Sequence, residues 1–239
     1  MFKDIYKELF MKKHFAVFVI LILILSEILL NINEIIGFIL YGCLIALCLL
    51  SLSHTKLLNE YGKLIIVLMI VPIVRIVELF LSLEFFWEVL ISYSILLFLS
   101  FYYSVRFKLD HGHKKEKLGW LPLAVIIGID LGLLGNFFFS FEKYSWLIYL
   151  IPLIAYSEEI LFRGMIQNLI KEGYGVTFSI LIPALLYGIF SLNYGYLFAL
   201  FMFFAGIIIG MIYNHTKNIF LTVAINFILH FFLFVLPQI

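Results

Sequence analysis

Charge is scarce in this chain. Asp, Glu, Lys and Arg together make up 13% of its 239 residues, whereas hydrophobic residues make up 64%; a soluble globular domain is about a quarter charged. That shortfall excludes an ordinary soluble domain. Neither sign of charge is in excess, since 16 basic residues face 15 acidic ones for a formal net charge of +1. The basic surplus that nucleic-acid binding requires is therefore missing, and no nucleic-acid partner is expected. Cysteine is almost absent. Cys43 and Cys48 lie five residues apart in one apolar segment, on different faces of a helix, and cannot bridge to each other. Internal repeats and low-complexity tracts are also lacking, as is the small-residue cleavage site of a signal peptide near the N-terminus.

What the chain has instead is apolar length. Runs near 15–33, 35–53, 64–83, 85–103, 119–139, 145–170, 175–193, 196–214 and 218–237 approach the roughly 20 residues needed to cross a bilayer. The fold class expected is an all-α, polytopic transmembrane helical bundle of eight or nine spans, in the cell membrane. Phe2 to Phe10 reads as an amphipathic piece on the membrane surface. Basic residues alternate between connectors. Lys3, Lys7, Lys12 and Lys13 precede the first run, Lys56 and Lys63 follow the second, and five basic residues lie between Arg106 and Lys117. The intervening connectors hold Glu34, Glu84, Glu142, Lys143 and Asn193. By the positive-inside rule the N-terminus is expected to be cytoplasmic. The polar connector from Ser104 to Gly119, with His111 and His113, reads as a solvated loop near anionic lipid. It divides the chain into N-terminal helices, 1–117, and a C-terminal region, 118–239, that holds the residues with chemistry.

Those residues centre on Glu158-Glu159-Ile160-Leu161-Phe162-Arg163, set in a stretch otherwise fit for hydrocarbon. Ionisable groups there cost several kcal/mol if unpaired and by default mark a bundle interior or a wet cavity. Glu159 and Arg163, four apart, share a helix face and can pair. Glu158 points about 100° away from Glu159 and is free for another role. Arg75 and Glu78 read as an intramembrane pair that fixes helix contacts. Asp130, among Gly128, Gly132 and Gly135, reads as an inward-facing acid at a close helix contact, with a possible role beside Arg163. Glu27 and Glu88 lie near span ends, where they can reach the interface.

The Glu-Glu-x-x-x-Arg pattern at Glu158, Glu159 and Arg163, followed by Gly164, resembles the first motif of the CPBP (Abi) intramembrane proteases, the family that includes the type II CAAX prenyl endopeptidases. Leu185-Leu186-Tyr187-Gly188-Ile189-Phe190-Ser191 resembles the helix that carries the family's second motif. Gly206, Gly210 and Tyr213 resemble its glycine-rich helix, and Asn226-Phe227-Ile228-Leu229-His230 its last motif. The resemblance covers 145–237 and implies a CPBP-type core in the C-terminal half. It also implies endopeptidase activity, with Glu158 activating water against a peptide bond of a prenylated or membrane-associated protein or peptide.

Both family histidines are replaced. Ser191 stands where the first belongs and Asn226 where the second belongs, while His230 takes the place of the family's asparagine. Asn226 and His230 are four apart, so the last helix still presents one imidazole and one amide on one face. At 1.5 Å rise per residue, Glu158 and His230 lie about 20 Å from the cytoplasmic end, Ser191 about 25 Å and Asn226 about 13 Å, so the four can share a cavity. Glu158, Glu159, Arg163, Ser191, Asn226 and His230 are the expected site. No cofactor and no tight metal site is expected, since Asn226 and Ser191 are poor zinc ligands. The alternative is a non-catalytic member of the same fold that binds a membrane partner as a scaffold or regulator. A transporter is disfavoured by the lack of paired broken helices.

Overall fold

A computed structural model describes residues 2–53, 60–81, 84–109, 119–139, 141 and 143–237, and the side chains of all of these except 2–13, 51–53, 60 and 81. Secondary structure of any length among these residues is helical. In chain order the α-helices are α1 (Phe2–Ile32), α2 (Glu34–Ser53), α3 (Glu60–Leu81), α4 (Phe85–Phe107), α5 (Leu121–Phe138), α6 (Ile151–Glu159), α7 (Asn168–Tyr174), α8 (Val176–Ile189), α9 (Tyr196–Thr216) and α10 (Ile219–Phe234). A π-helical segment, Ile160–Gln167, lies between α6 and α7. The His111 and His113 loop, Lys56, Glu142 and the side chains of Lys3, Lys7, Lys12 and Lys13 lie outside the described set.

The expectation of eight or nine spans is corrected. Among the described residues, four helices are long and apolar enough to cross a membrane: α1 over His14–Ile32, α4, α5 and α9. They make the chain a multi-pass membrane protein. The other runs fail for separate reasons. The apolar part of α2 is Glu34–Leu50, and α8 and α10 are also short; α8, at 14 residues, covers about 21 Å, less than the roughly 30 Å of a hydrocarbon core. α3 carries Lys63, Arg75 and Glu78. The run at 145–170 is divided into a 3₁₀ turn (Ser145–Tyr149), α6 and the π segment.

Helix ends follow local chemistry. Gly175 and Gly195 take φ of +85° and +109° ahead of α8 and α9, a region open to glycine but strained for other residues. Asn218 caps α10 by accepting from the Phe220 amide at 2.9 Å, satisfying a donor left free at the helix start. The tight pairs are α5 with α10, α8 with α9 and α1 with α2. Small residues permit the first two. A Cβ on Gly132 would fall 2.7 Å from Phe232 Cβ, and one on Gly188 would fall 2.7 Å from the Ala199 carbonyl oxygen. With the glycine side of α5 against α10, Asp130 emerges on the opposite side and is exposed; the inward-facing role expected for it is corrected.

The Gly188 contact is against backbone, which cannot swing away. Gly188→Ala is expected to cost about 1–3 kcal/mol of overpacking, outweighing any gain in helix propensity, and to lower the melting temperature in detergent. Gly42→Ala, with nothing within 4 Å of the added Cβ, should melt at or slightly above the parent value.

Candidate active site

Glu158 and Glu159 close α6, where the α-helical hydrogen-bond pattern gives way to the π segment. Such π segments often occur at functional sites. Here the segment carries Arg163 and Gln167 toward α9: Arg163 Nη2 donates to the Gly206 carbonyl at 3.3 Å and Gln167 Nε2 to the Gly210 carbonyl at 2.9 Å. The glycines let α9 expose carbonyls that side chains would otherwise cover.

The two carboxylates face different surroundings. Glu159 is fully buried, with Arg163 Nη1 at 3.1 Å from its Oε1. The pair is in ionic contact, but Arg163 Nη1 is not aligned for a hydrogen bond. The guanidinium is also 4.9 Å from the centroid of the Tyr187 ring, whose face attracts cations. Glu158 borders a cavity of about 450 Å³. Its Oε2 receives Asn226 Nδ2 at 2.9 Å and lies 3.1 Å from His230 Nε2; its Oε1 receives the Tyr93 hydroxyl at 3.1 Å.

Asn226 ties the two acids together. Its Nδ2 lies 2.9 Å from Glu158 and 3.2 Å from Glu159 Oε1, so each of its two protons serves one carboxylate. Its Oδ1 accepts from the Tyr187 hydroxyl at 2.8 Å, which fixes the orientation of the amide. The Tyr187 hydroxyl also lies 3.3 Å from Glu158 Oε2, but one proton favours the shorter contact. Asn226 is fully buried and has no donor left for a ligand.

His230 lines the cavity and stacks on Phe234 with ring centroids 5.7 Å apart. Its Nδ1 has no hydrogen-bond partner among the described residues. Ser191 is on the cavity wall, but its hydroxyl donates back to the Tyr187 carbonyl at 3.2 Å. The structure therefore brings Glu158, Glu159, Arg163, Asn226 and His230 into one network and leaves Ser191 beside it. Among the described residues, no group of three or more His, Cys, Asp and Glu side chains is placed to hold a metal ion.

Sequence reasoning missed Tyr93 and Tyr187. Tyr187 occupies the aromatic position four residues before Ser191, so the motif contained it without marking its hydroxyl. Tyr93 comes from α4, outside every motif, and nothing in the sequence distinguishes it. Glu27 was also misplaced. It does not reach the interface but is buried, at 1% exposure, and pairs with Arg75 at 2.8 Å.

A family model described as Type II CAAX prenyl endopeptidase Rce1-like matches residues 140–232. The match encloses all six expected site residues and leaves out Arg75 and Tyr93. It supports a relation to CAAX-type endopeptidases at the level of family. No curated protein and no solved structure is significantly similar to the chain.

Removing one partner of a buried ion pair costs about 3–5 kcal/mol. Arg163→Ala is expected to lower the melting temperature in detergent markedly, because Glu159 loses its counter-charge. Glu159→Gln in the same chain should restore part of the loss. An Arg163→Ala protein that melts like the parent would show that the pair does not hold the site together.

Proposed function

We propose that the protein is an intramembrane endopeptidase that hydrolyses a peptide bond of a membrane-associated protein or peptide, with Glu158 as general base. The observation that supports this most is the one acid of the network that borders the cavity. Glu158 Oε2 is engaged by Asn226 and His230, while Oε1 accepts one hydrogen bond, from Tyr93. A carboxylate oxygen has two lone pairs, so Oε1 retains one for a water.

In the proposed reaction, Glu158 Oε1 takes a proton from that water as its oxygen bonds to the peptide carbonyl carbon. The C=O π electrons move onto the carbonyl oxygen. His230, whose Nδ1 has no partner among the described residues, donates a hydrogen bond from that atom to the oxygen when its ring is doubly protonated. Collapse breaks the C–N bond, and the proton held by Glu158 passes to the leaving nitrogen. Asn226, Tyr93 and Tyr187 are positioning residues that hold the carboxylate, and Arg163 neutralises Glu159 behind it. With its hydroxyl directed into its own helix and its side chain on the wall, Ser191 shapes the cavity without entering the chemistry.

A second reading keeps the cavity and drops the reaction: a scaffold or regulator that binds a membrane partner there. Ser191 favours it, since no second imidazole stands at that position. We place the protein in the cell membrane with a cytoplasmic N-terminus on the strength of its basic connectors.

Purified protein in detergent, offered quenched-fluorescence peptides with and without a prenyl group, separates the two. Loss of a general base lowers rates about 10²–10⁴-fold. Glu158→Gln should abolish cleavage to that extent while the melting temperature holds. Cleavage at the parent rate by Glu158→Gln would refute the assignment, and a partner retained equally by both forms without cleavage would favour the scaffold.

A further inference from the structure

The cavity has a second wall, on α3 and α4, which the proposed chemistry does not use. Arg75 is on it and is already committed. Its Nε donates to Glu27 at 2.8 Å, Nη1 to Glu78 at 2.7 Å and Nη2 to the Phe190 carbonyl at 2.7 Å. A guanidinium facing two carboxylates and a carbonyl is a poor receptor for a further anion. Glu88, in the first turn of α4, lines the same wall within electrostatic range of Glu78 and Arg75. It has no ion-pair partner among the described residues. The wall and its backing thus hold three carboxylates, Glu27, Glu78 and Glu88, against one guanidinium.

Two further groups at the cavity lack partners. Ser92, one helical turn beyond Glu88, is 1% exposed, and its hydroxyl has no hydrogen-bond partner among the described residues. His230 Nδ1 is in the same position. Buried polar groups are normally satisfied, and those that are not call for water or a ligand.

The mouth of the cavity identifies the side from which a ligand comes. It is placed by the exposed lining residues, Phe85 at the start of α4 and Asn193 and Tyr194 in the α8–α9 connector, beside which Phe141 and Tyr144 of the α5–α6 connector and Phe234 at the end of α10 also line the cavity. All lie at one end of the bundle. Read along the sequence, the connectors at that end hold Glu34, Glu84, Glu142 and Lys143, whereas five basic residues lie between Arg106 and Lys117 at the other. Basic connectors stay cytoplasmic, so the mouth faces away from the cytoplasm.

We infer that the cavity binds a lysine- or arginine-bearing peptide segment presented at the non-cytoplasmic face, with Glu88 receiving the cation and the Ser92 hydroxyl bonding the peptide backbone. A segment ending in a free carboxylate near this wall is repelled, which narrows the substrate class of the proposed peptidase to cationic segments cut at an internal bond. The inference rests on the proposed function only for that last clause, because binding is independent of hydrolysis.

The test therefore uses Glu158→Gln protein in nanodiscs, where cleavage is blocked. Two fluorescein-labelled hexapeptides of leucine and glycine, one with a central lysine pair and one with a central glutamate pair, are compared by anisotropy. The lysine peptide should bind at least about tenfold tighter, equivalent to about 1.4 kcal/mol. Glu88→Gln should remove most of that preference and Glu88→Lys reverse it, with melting temperatures confirming that each variant is folded. Equal binding of the two peptides, or a preference unchanged in folded Glu88→Lys, overturns the inference. In intact cells, Asn193→Cys in a chain with Cys43→Ser and Cys48→Ala should react with a membrane-impermeant maleimide. Reaction only after permeabilisation overturns the assigned face. Absence of cleavage by the parent protein, with the lysine preference intact, would count against the peptidase reading and leave the binding site standing.

Discussion

Two adjacent carboxylates inside an apolar bundle need donors from every direction, and the C-terminal half of the fold is arranged around supplying them. Water cannot satisfy them at depth, and an unpaired charge there costs several kcal/mol. Arg163 serves Glu159 from the π segment, and His230 serves Glu158 from α10. Asn226 gives one proton to each. Because Arg163 sits on the π segment and Asn226 and His230 sit on α10, the requirement fixes how α6 and the π segment pack against α10. Gly206 on α9 serves the same need, since its carbonyl accepts from the Arg163 guanidinium that faces Glu159.

The proposed function rests on an asymmetry inside that network. Glu159 is enclosed and neutralised, whereas Glu158 borders a cavity with one oxygen only partly satisfied. A pair of like acids in unlike surroundings is how a fold separates a structural carboxylate from a reactive one. The cavity itself belongs to both halves of the chain. Tyr93 on α4 holds Glu158, and Arg75 on α3 binds the Phe190 carbonyl next to Ser191. The N-terminal helices thus form one wall of the site, although the family match begins only at residue 140.

Much of the site was legible in the sequence because charge is so rare in it. Glu158, Glu159 and Arg163 stand out against hydrocarbon, and the four-residue spacings of Glu159 with Arg163 and of Asn226 with His230 place each pair on one helix face. Tyr93 and Tyr187 were not legible. In a chain with 14 tyrosines, a hydroxyl that bonds a carboxylate looks no different from one at the membrane interface. Nor did hydropathy reveal that α8 and α10 stop at 14 and 16 residues, or that a π segment divides the run holding the acids. Apolar length measures what lipid tolerates, whereas helix ends are set by glycine, capping and tertiary contacts. Asp130 and Glu27 went astray for the same reason: which side of a helix faces inward depends on its partners, and those are distant in sequence.

The central claim is that the Asn226 amide holds the two carboxylates together by giving each a proton. Asn226→Asp tests it most directly, because the change is isosteric, removes both donors and adds a third acid. The thermal melting of Asn226→Asp in detergent should fall far below that of the parent, and Glu159→Gln in the same chain, which removes one of the three acids and returns an amide donor, should recover part of the loss. An Asn226→Asp protein that melts with the parent would contradict the account.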